Sequence, residues 1–167
     1  MKLHACILVL LVFVLFPVAA QAQMPNRYGP SIGVEAARKF AATATAEAKK
    51  NGWTVAVAVV DPAGDLVFFE RMDSTQVAST KVAQDKARTA ARFKRPTKAF
   101  EEALAGGRQA ILGLPDVVPL EGGIPIVVED RIVGAIGVSG ATSQQDGVCA
   151  QAAVNAMGKA RAAAGAR

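Results

Sequence analysis

Histidine is almost absent from this sequence: of 167 residues only His4 carries an imidazole. It lies in a segment that reads as a secretory signal. Lys2 gives a positive start, residues 7–16 are an unbroken apolar run, and Ala20-Gln21-Ala22 is a small-x-small cleavage site. If cleavage follows Ala22, the remaining chain starts at Gln23 and has no imidazole. That removes the usual general base, the usual zinc ligand and the usual haem ligand in one step. Ser–His and Cys–His dyads go with them. The apolar run is far shorter than the roughly 20 residues that span a bilayer, and no second run follows, so no membrane span is expected after cleavage.

Cysteine is nearly as scarce. Cys6 leaves with the signal and Cys149 remains alone, so no intramolecular disulfide can form even in an oxidising compartment. Cys149 sits in an Ala-rich apolar pattern and is expected to be a small buried hydrophobe. One Trp, one Tyr and no arginine-rich run give nothing on which nucleic acid would be read. Removing residues 1–22 leaves 145 residues, with 18 basic against 14 acidic side chains and a formal charge of +4. The size suits one domain held together by burial. The modest positive surplus favours capture of a carboxylate-bearing ligand. Residues 23–30 read as a flexible polar lead-in, and 31–167 as the domain.

Periodicity sets out the elements. Apolar residues recur at helical spacing over 32–50, before an Asn51-Gly52 stop. The Val-rich run 53–60 is short enough for a buried strand, residues 61–65 are turn chemistry, and 66–70 resume as a strand, giving a hairpin with a five-residue loop. A second helix is expected over 79–93 with Ser79 as N-cap, broken by Pro96. Thr97 then caps a shorter helix to Leu104, before Gly106-Gly107. Residues 109–120 read as irregular. Strands at 124–129 and 132–139 flank an Asp130-Arg131 turn, and Ser143 starts a last helix in which Asp146 can reach back to a capping N–H. The order helix, hairpin, helices, hairpin, helix predicts a single α+β domain, a central antiparallel sheet flanked by helices in profilin-like or PAS-like proportions.

Four constellations could carry chemistry. Glu70-Arg71-Met72-Asp73 ends a strand, where Arg71 could fork onto a ligand carboxylate or simply pair with a neighbouring acid. Lys81, Lys86, Arg88, Arg92, Lys94 and Arg95 concentrate positive charge on one helix and its exit, as a ligand face or as a solvated one. In Glu121-Gly-Gly-Ile-Pro125, Gly122 and Gly123 allow close backbone approach to a ligand or a tight turn. Gly137-Val-Ser-Gly140, with Thr142, Ser143 and Asp146 behind it, leads to a helix N-terminus that could hold an anion. It lacks the lysine and glycine spacing of a nucleotide loop. These parts assemble into a binding domain more readily than into a catalyst.

Taken in order, Gly52-Trp53, Val59-Val60-Asp61, Gly64, Glu70-Arg-Met-Asp73, Lys86-Ala-Arg-Thr-Ala-Ala-Arg-Phe93, Pro96-Thr97, Glu121-Gly-Gly-Ile-Pro125 and Gly134-Ala-Ile-Gly-Val-Ser-Gly140 with Asp146 resemble the GlcG/HbpS-like family of haem-binding proteins. The resemblance runs from about Ile32 into the final helix. It implies haem as cofactor, assembly into a homo-oligomer, and a pocket at Glu70, Arg71, Lys86, Thr89, Gly122, Gly123, Pro125 and Asp146. One position departs: Asp65 stands where many relatives carry His. Iron would then need Tyr28, Met72, Cys149, a Lys, Thr75 or Thr80. Otherwise the porphyrin is gripped by apolar contact and propionate–Arg/Lys pairs. The leading expectation is an exported, periplasmic or extracellular haem binder, with haem or iron sensing and slow haem degradation among the roles the family implies. An accessory module binding a small organic acid through Arg71 and the Gly122-Gly123 loop, or an oligomeric scaffold, stands beside it.

Overall fold

The computed structural model describes residues 27–165, with side chains to residue 157. The segment read as a signal, with Lys2, His4 and Cys6, lies outside the described residues. The elements run β1 (Arg27–Tyr28), α1 (Val34–Lys50), β2 (Ala56–Val60), β3 (Leu66–Arg71), α2 (Ser79–Phe93), α3 (Lys98–Ala105), a 3₁₀ turn (Gln109–Gly113), β4 (Gly123–Val128), β5 (Arg131–Ser139) and α4 (Ser143–Gly165). The strands form one sheet with hydrogen-bonded order β1-β5-β2-β3, and β4 also pairs with β5. All pairings are antiparallel except the short parallel β1–β5 contact. This is the single α+β domain that the element order predicts.

Strand β2 shows why the sheet must be covered on both sides. All five of its residues are buried. Val57 and Val59 join the larger core with α1, α4 and the β5 residues Ile136 and Val138. Ala56, Ala58 and Val60 face the other way, against Ala83, Ala87, Ala90 and Ala91 of α2. A strand buried on both faces reads as a continuous apolar run. The small side chains on the second face let α2 lie directly on the sheet. Gly137 completes that fit, since a Cβ there would sit 2.1 Å from the Ala83 carbonyl oxygen.

Several local expectations are corrected. Residues 53–55 are not strand: Trp53 donates its backbone N–H to Ala48 as the end of α1 closes, and pairing begins at Ala56. Ser79 is the first residue of α2, not its cap. The cap position is Ala78, and the buried Ser79 hydroxyl accepts from the Ser139 hydroxyl at 3.2 Å. Thr97 does precede α3, yet its side chain makes no cap bond; Thr97 Oγ1 instead accepts the Gly123 N–H at 2.9 Å. The second hairpin turns at Glu129-Asp130, both with positive φ of 49° and 56°, the geometry of a two-residue hairpin turn. At the start of α4, Thr142 and Gln145 form the reciprocal capping pair, while Asp146 reaches back to Ala141. In the expected lead-in, Arg27 and Tyr28 pair with β5, and the Tyr28 hydroxyl donates towards the Ala91 and Arg92 carbonyls, both at 3.1 Å. The strand edge and those helix-end carbonyls supply partners that composition alone does not reveal.

Candidate functional site

Helix α2 carries Lys86 on the face that packs against the sheet, where the chain would normally place an apolar residue. Its stem lies along β5, and its ammonium donates to Asp146 Oδ2 at 2.8 Å and to the Val138 carbonyl at 3.1 Å. Both side chains are almost completely covered, at 2% and 3% exposure. The other Asp146 oxygen accepts the Ala141 N–H at 3.1 Å. Burial pushes the Asp146 carboxyl above its ordinary pKa, against the pull of the Lys86 charge and of the backbone N–H groups.

The Gly122-Gly123 loop lies over this pair. Gly122 has φ of 130°, and a Cβ there would meet Lys86 Nζ at 2.9 Å and the Val138 carbonyl oxygen at 2.6 Å. At Gly123 a Cβ would come within 2.3 Å of the Lys86 carbonyl oxygen. Both glycines are therefore required by close approach to Lys86. Glu101 fastens the same corner, accepting the Glu121 N–H and the Ser143 hydroxyl. Outside the loop lies an open pocket of about 340 Å³, walled by Gly122, Gly123, Ile124, Gly147 and Val148, with the Lys98–Glu121 ion pair at its rim. The Glu121 carboxylate, at 3.1 Å, holds the Lys98 pKa above its ordinary value.

Lys86, Gly122, Gly123 and Asp146 are thus brought together, with the paired charges covered beneath the loop. The other expected residues are elsewhere. Glu70 and Arg71 end β3, on the far side of β2 and β5 from β4; Arg71 is exposed and donates to Thr80 Oγ1 at 3.4 Å. Thr89 is buried and pins residues 116–118, donating to the Asp116 carbonyl and accepting the Val118 N–H. Pro125 lies in β4 opposite Ala135. Much of the cationic helix is neutralised: Lys81 and Arg88 pair with Asp85, and Arg92 with Asp116.

The expected iron ligands are mostly engaged. Tyr28 is held by its two carbonyl bonds and by Lys94 over its ring at 4.3 Å. Met72 packs on the larger core. Cys149 is fully buried, and burial, aided by the negative charges of Asp146 and Glu47, pushes its thiol up to about 11, so it is no thiolate. Thr80 accepts from Arg71, whereas Thr75 Oγ1 is buried without a partner among the described residues. Sequence reasoning did not foresee the roles of Thr97, Glu101, Lys98 and Glu121. Pro96-Thr97 and Glu121 carried a signal only as parts of the family pattern, while Lys98 and Glu101 carried none.

A second pocket, of about 260 Å³, opens where α2, α3 and the 3₁₀ turn meet, lined by Phe93, Phe100, Ile111 and Leu114 with Arg95 and Arg108.

Against known proteins, the family model described as "Haem degrading protein HbpS-like" matches residues 32–155. The chain belongs to the HbpS-like family. Among curated relatives, Protein GlcG of Escherichia coli is 46% identical over 93 residues, covering 56% of this chain and 69% of the relative. The crystal structure of HbpS superposes with a TM-score of 0.71 at 32% identity, covering 77% of this chain and 91% of that one. The crystal structure of a PduOC:heme complex gives a TM-score of 0.69 at 25% identity, over 75% of this chain and 94% of that one. An HbpS-like domain therefore accounts for both hairpins and the helices on either face.

Proposed function

We propose that this protein is an exported, haem-binding, homo-oligomeric member of the HbpS-like family. The observation that carries the reading is the family match over residues 32–155, with a structural neighbour solved as a haem complex in support. The amino-terminal Lys2, apolar run and Ala20-Gln21-Ala22 site support export.

The described residues fit haem as a porphyrin gripped mainly at its periphery. They include no histidine, and Cys149 is protonated and enclosed. What they offer is an apolar and aromatic pocket surface beside two arginines. When bound, haem supplies a redox-active iron. The chain's own part is to cover the ring with apolar side chains and to hold its carboxylates with fixed cations. The organic-acid reading through Arg71 and the Gly122-Gly123 loop is not favoured, because β3 and β4 lie on opposite sides of β2 and β5.

Haemin titrated into the mature protein should give a saturable Soret shift near one haem per chain. Protein collected outside the cytoplasm should have the mass of a chain starting at Gln23. A titration that never saturates would refute haem binding, and a leader still attached would refute export by cleavage.

A further inference from the structure

We propose that the pocket formed by Phe93, Phe100, Ile111 and Leu114 seats the dicarboxylate edge of a tetrapyrrole, with Arg95 and Arg108 each taking one carboxylate. This rests on the haem-binding reading and adds to it a place that the sequence did not indicate.

Three observations point there. The lining is apolar and aromatic: Phe93 and Phe100 meet edge to face, with centroids 5.4 Å apart at 80°. Such a wall suits the rim of a flat conjugated ring. Two arginines flank it, and neither guanidinium has an acidic partner among the described residues. Lys81, Arg88, Arg92 and Lys98 nearby are, in contrast, all paired with acids. Finally, Arg95 is already positioned. Its guanidinium carbon lies 5.5 Å from the Phe100 centroid, and its Nε donates to the Phe93 carbonyl at 3.3 Å, which leaves its terminal nitrogens for a ligand. Two unpaired forks beside one apolar wall match a ligand with two carboxylates at one edge. A fatty acid would leave one arginine unused. At about 260 Å³ the open pocket takes that edge rather than a whole macrocycle.

The test titrates haemin, metal-free protoporphyrin and the protoporphyrin dimethyl ester into four proteins: wild type, Arg95→Gln/Arg108→Gln, Ala103→Trp, and a charge-matched control, Lys39→Gln/Lys49→Gln, on exposed positions of α1. Thermal melts check that each is folded. We expect about fivefold weaker haemin binding for each arginine removed and about 25-fold for both, if the two contacts add. Ala103→Trp should weaken it by a similar factor by filling the pocket, while the control stays within twofold of wild type. The diester should bind wild type about as weakly as the diacid binds the double arginine variant. Wild-type affinity in the folded double variant, or equal affinity for diacid and diester, overturns this site and leaves haem binding intact. A wild type that never saturates with haemin removes both.

Discussion

Lys86→Met is the perturbation for which the structure gives the clearest magnitude. Methionine keeps the length of the buried stem and deletes only the ammonium. Two bonds vanish, to Asp146 Oδ2 at 2.8 Å and to the Val138 carbonyl at 3.1 Å. The ammonium is the donor in both, so each is charge-assisted and worth about 1.5–3 kcal/mol. Asp146 would remain buried with only backbone N–H groups to balance its charge. The sum is about 4 kcal/mol, inside the roughly 3–5 kcal/mol typical of breaking a buried pair by removing one partner. Urea unfolding followed by Trp53 fluorescence reads this directly; at a slope of about 2 kcal/mol per molar, the midpoint should fall by about 2 M. Acidification then separates lost charge from lost packing. Burial already pushes the Asp146 carboxyl up from 3.8, and Lys86 is the strongest pull against it. Without Lys86 the folded value climbs further above the unfolded one. A group of that kind contributes stability that is fully present below the unfolded value and lost as pH rises through the folded value. The deficit of the variant should therefore be largest at neutral pH and shrink as pH falls towards 4. Adding Asp146→Asn should recover at least about 2 kcal/mol at pH 7, because no bare charge is left buried. A deficit under about 1 kcal/mol, or one that does not shrink on acidification, refutes the account.

Two further outcomes follow from packing. Gly137→Ala should cost about 3 kcal/mol or more in the same urea assay, since its Cβ would lie 2.1 Å from the Ala83 carbonyl and α2 would have to leave the sheet; near-wild-type stability would refute the close helix–sheet contact. Cys149 should resist iodoacetamide at pH 8 in the folded protein. With its thiol pushed up from 9.0 to about 11, its contribution to stability is present below pH 9 and lost as pH rises through about 11, so Cys149→Ala should show a smaller alkaline loss than wild type.

Where one face of an element repeats regularly, the sequence marks its limits well. Helix α2 begins and ends at the expected residues, because alanines at helical spacing are bounded by Pro96. The five-residue loop of the first hairpin and the separation into two hairpins were legible from turn chemistry for the same reason. The start of β2 was not. A run that is apolar on both faces has no alternation to show where pairing begins, and residues 53–55 complete the end of α1 instead. Ser79 and Thr97 look like caps from their position alone, but each hydroxyl has a tertiary partner, and that competition depends on β5 and β4, which lie much later in the chain.

The candidate site fails to declare itself for a related reason. Within α2, Lys86 reads as one more cation among Lys81, Arg88 and Arg92, and only the fold distinguishes it. Its acid lies 60 residues onward at the start of α4, and the loop that covers both is on β4. The two glycines did point to a close approach, but what approaches is the protein's own lysine rather than a ligand. The reverse holds at the Phe93–Phe100 pocket. Its arginines and aromatics lie at the exit of α2, on α3 and just beyond α3, and Ile111 and Leu114 come from a segment that reads as irregular, with no period linking them. An unpaired guanidinium can be recognised only after every acid has been placed. Once Asp85, Asp116, Glu121 and Asp146 are assigned to Lys81 and Arg88, Arg92, Lys98 and Lys86, the positive charge beside that pocket belongs to Arg95 and Arg108. The modest surplus of the whole chain thus becomes a local excess at an aromatic wall, and that placement is what the comparison of diacid with diester is built to read.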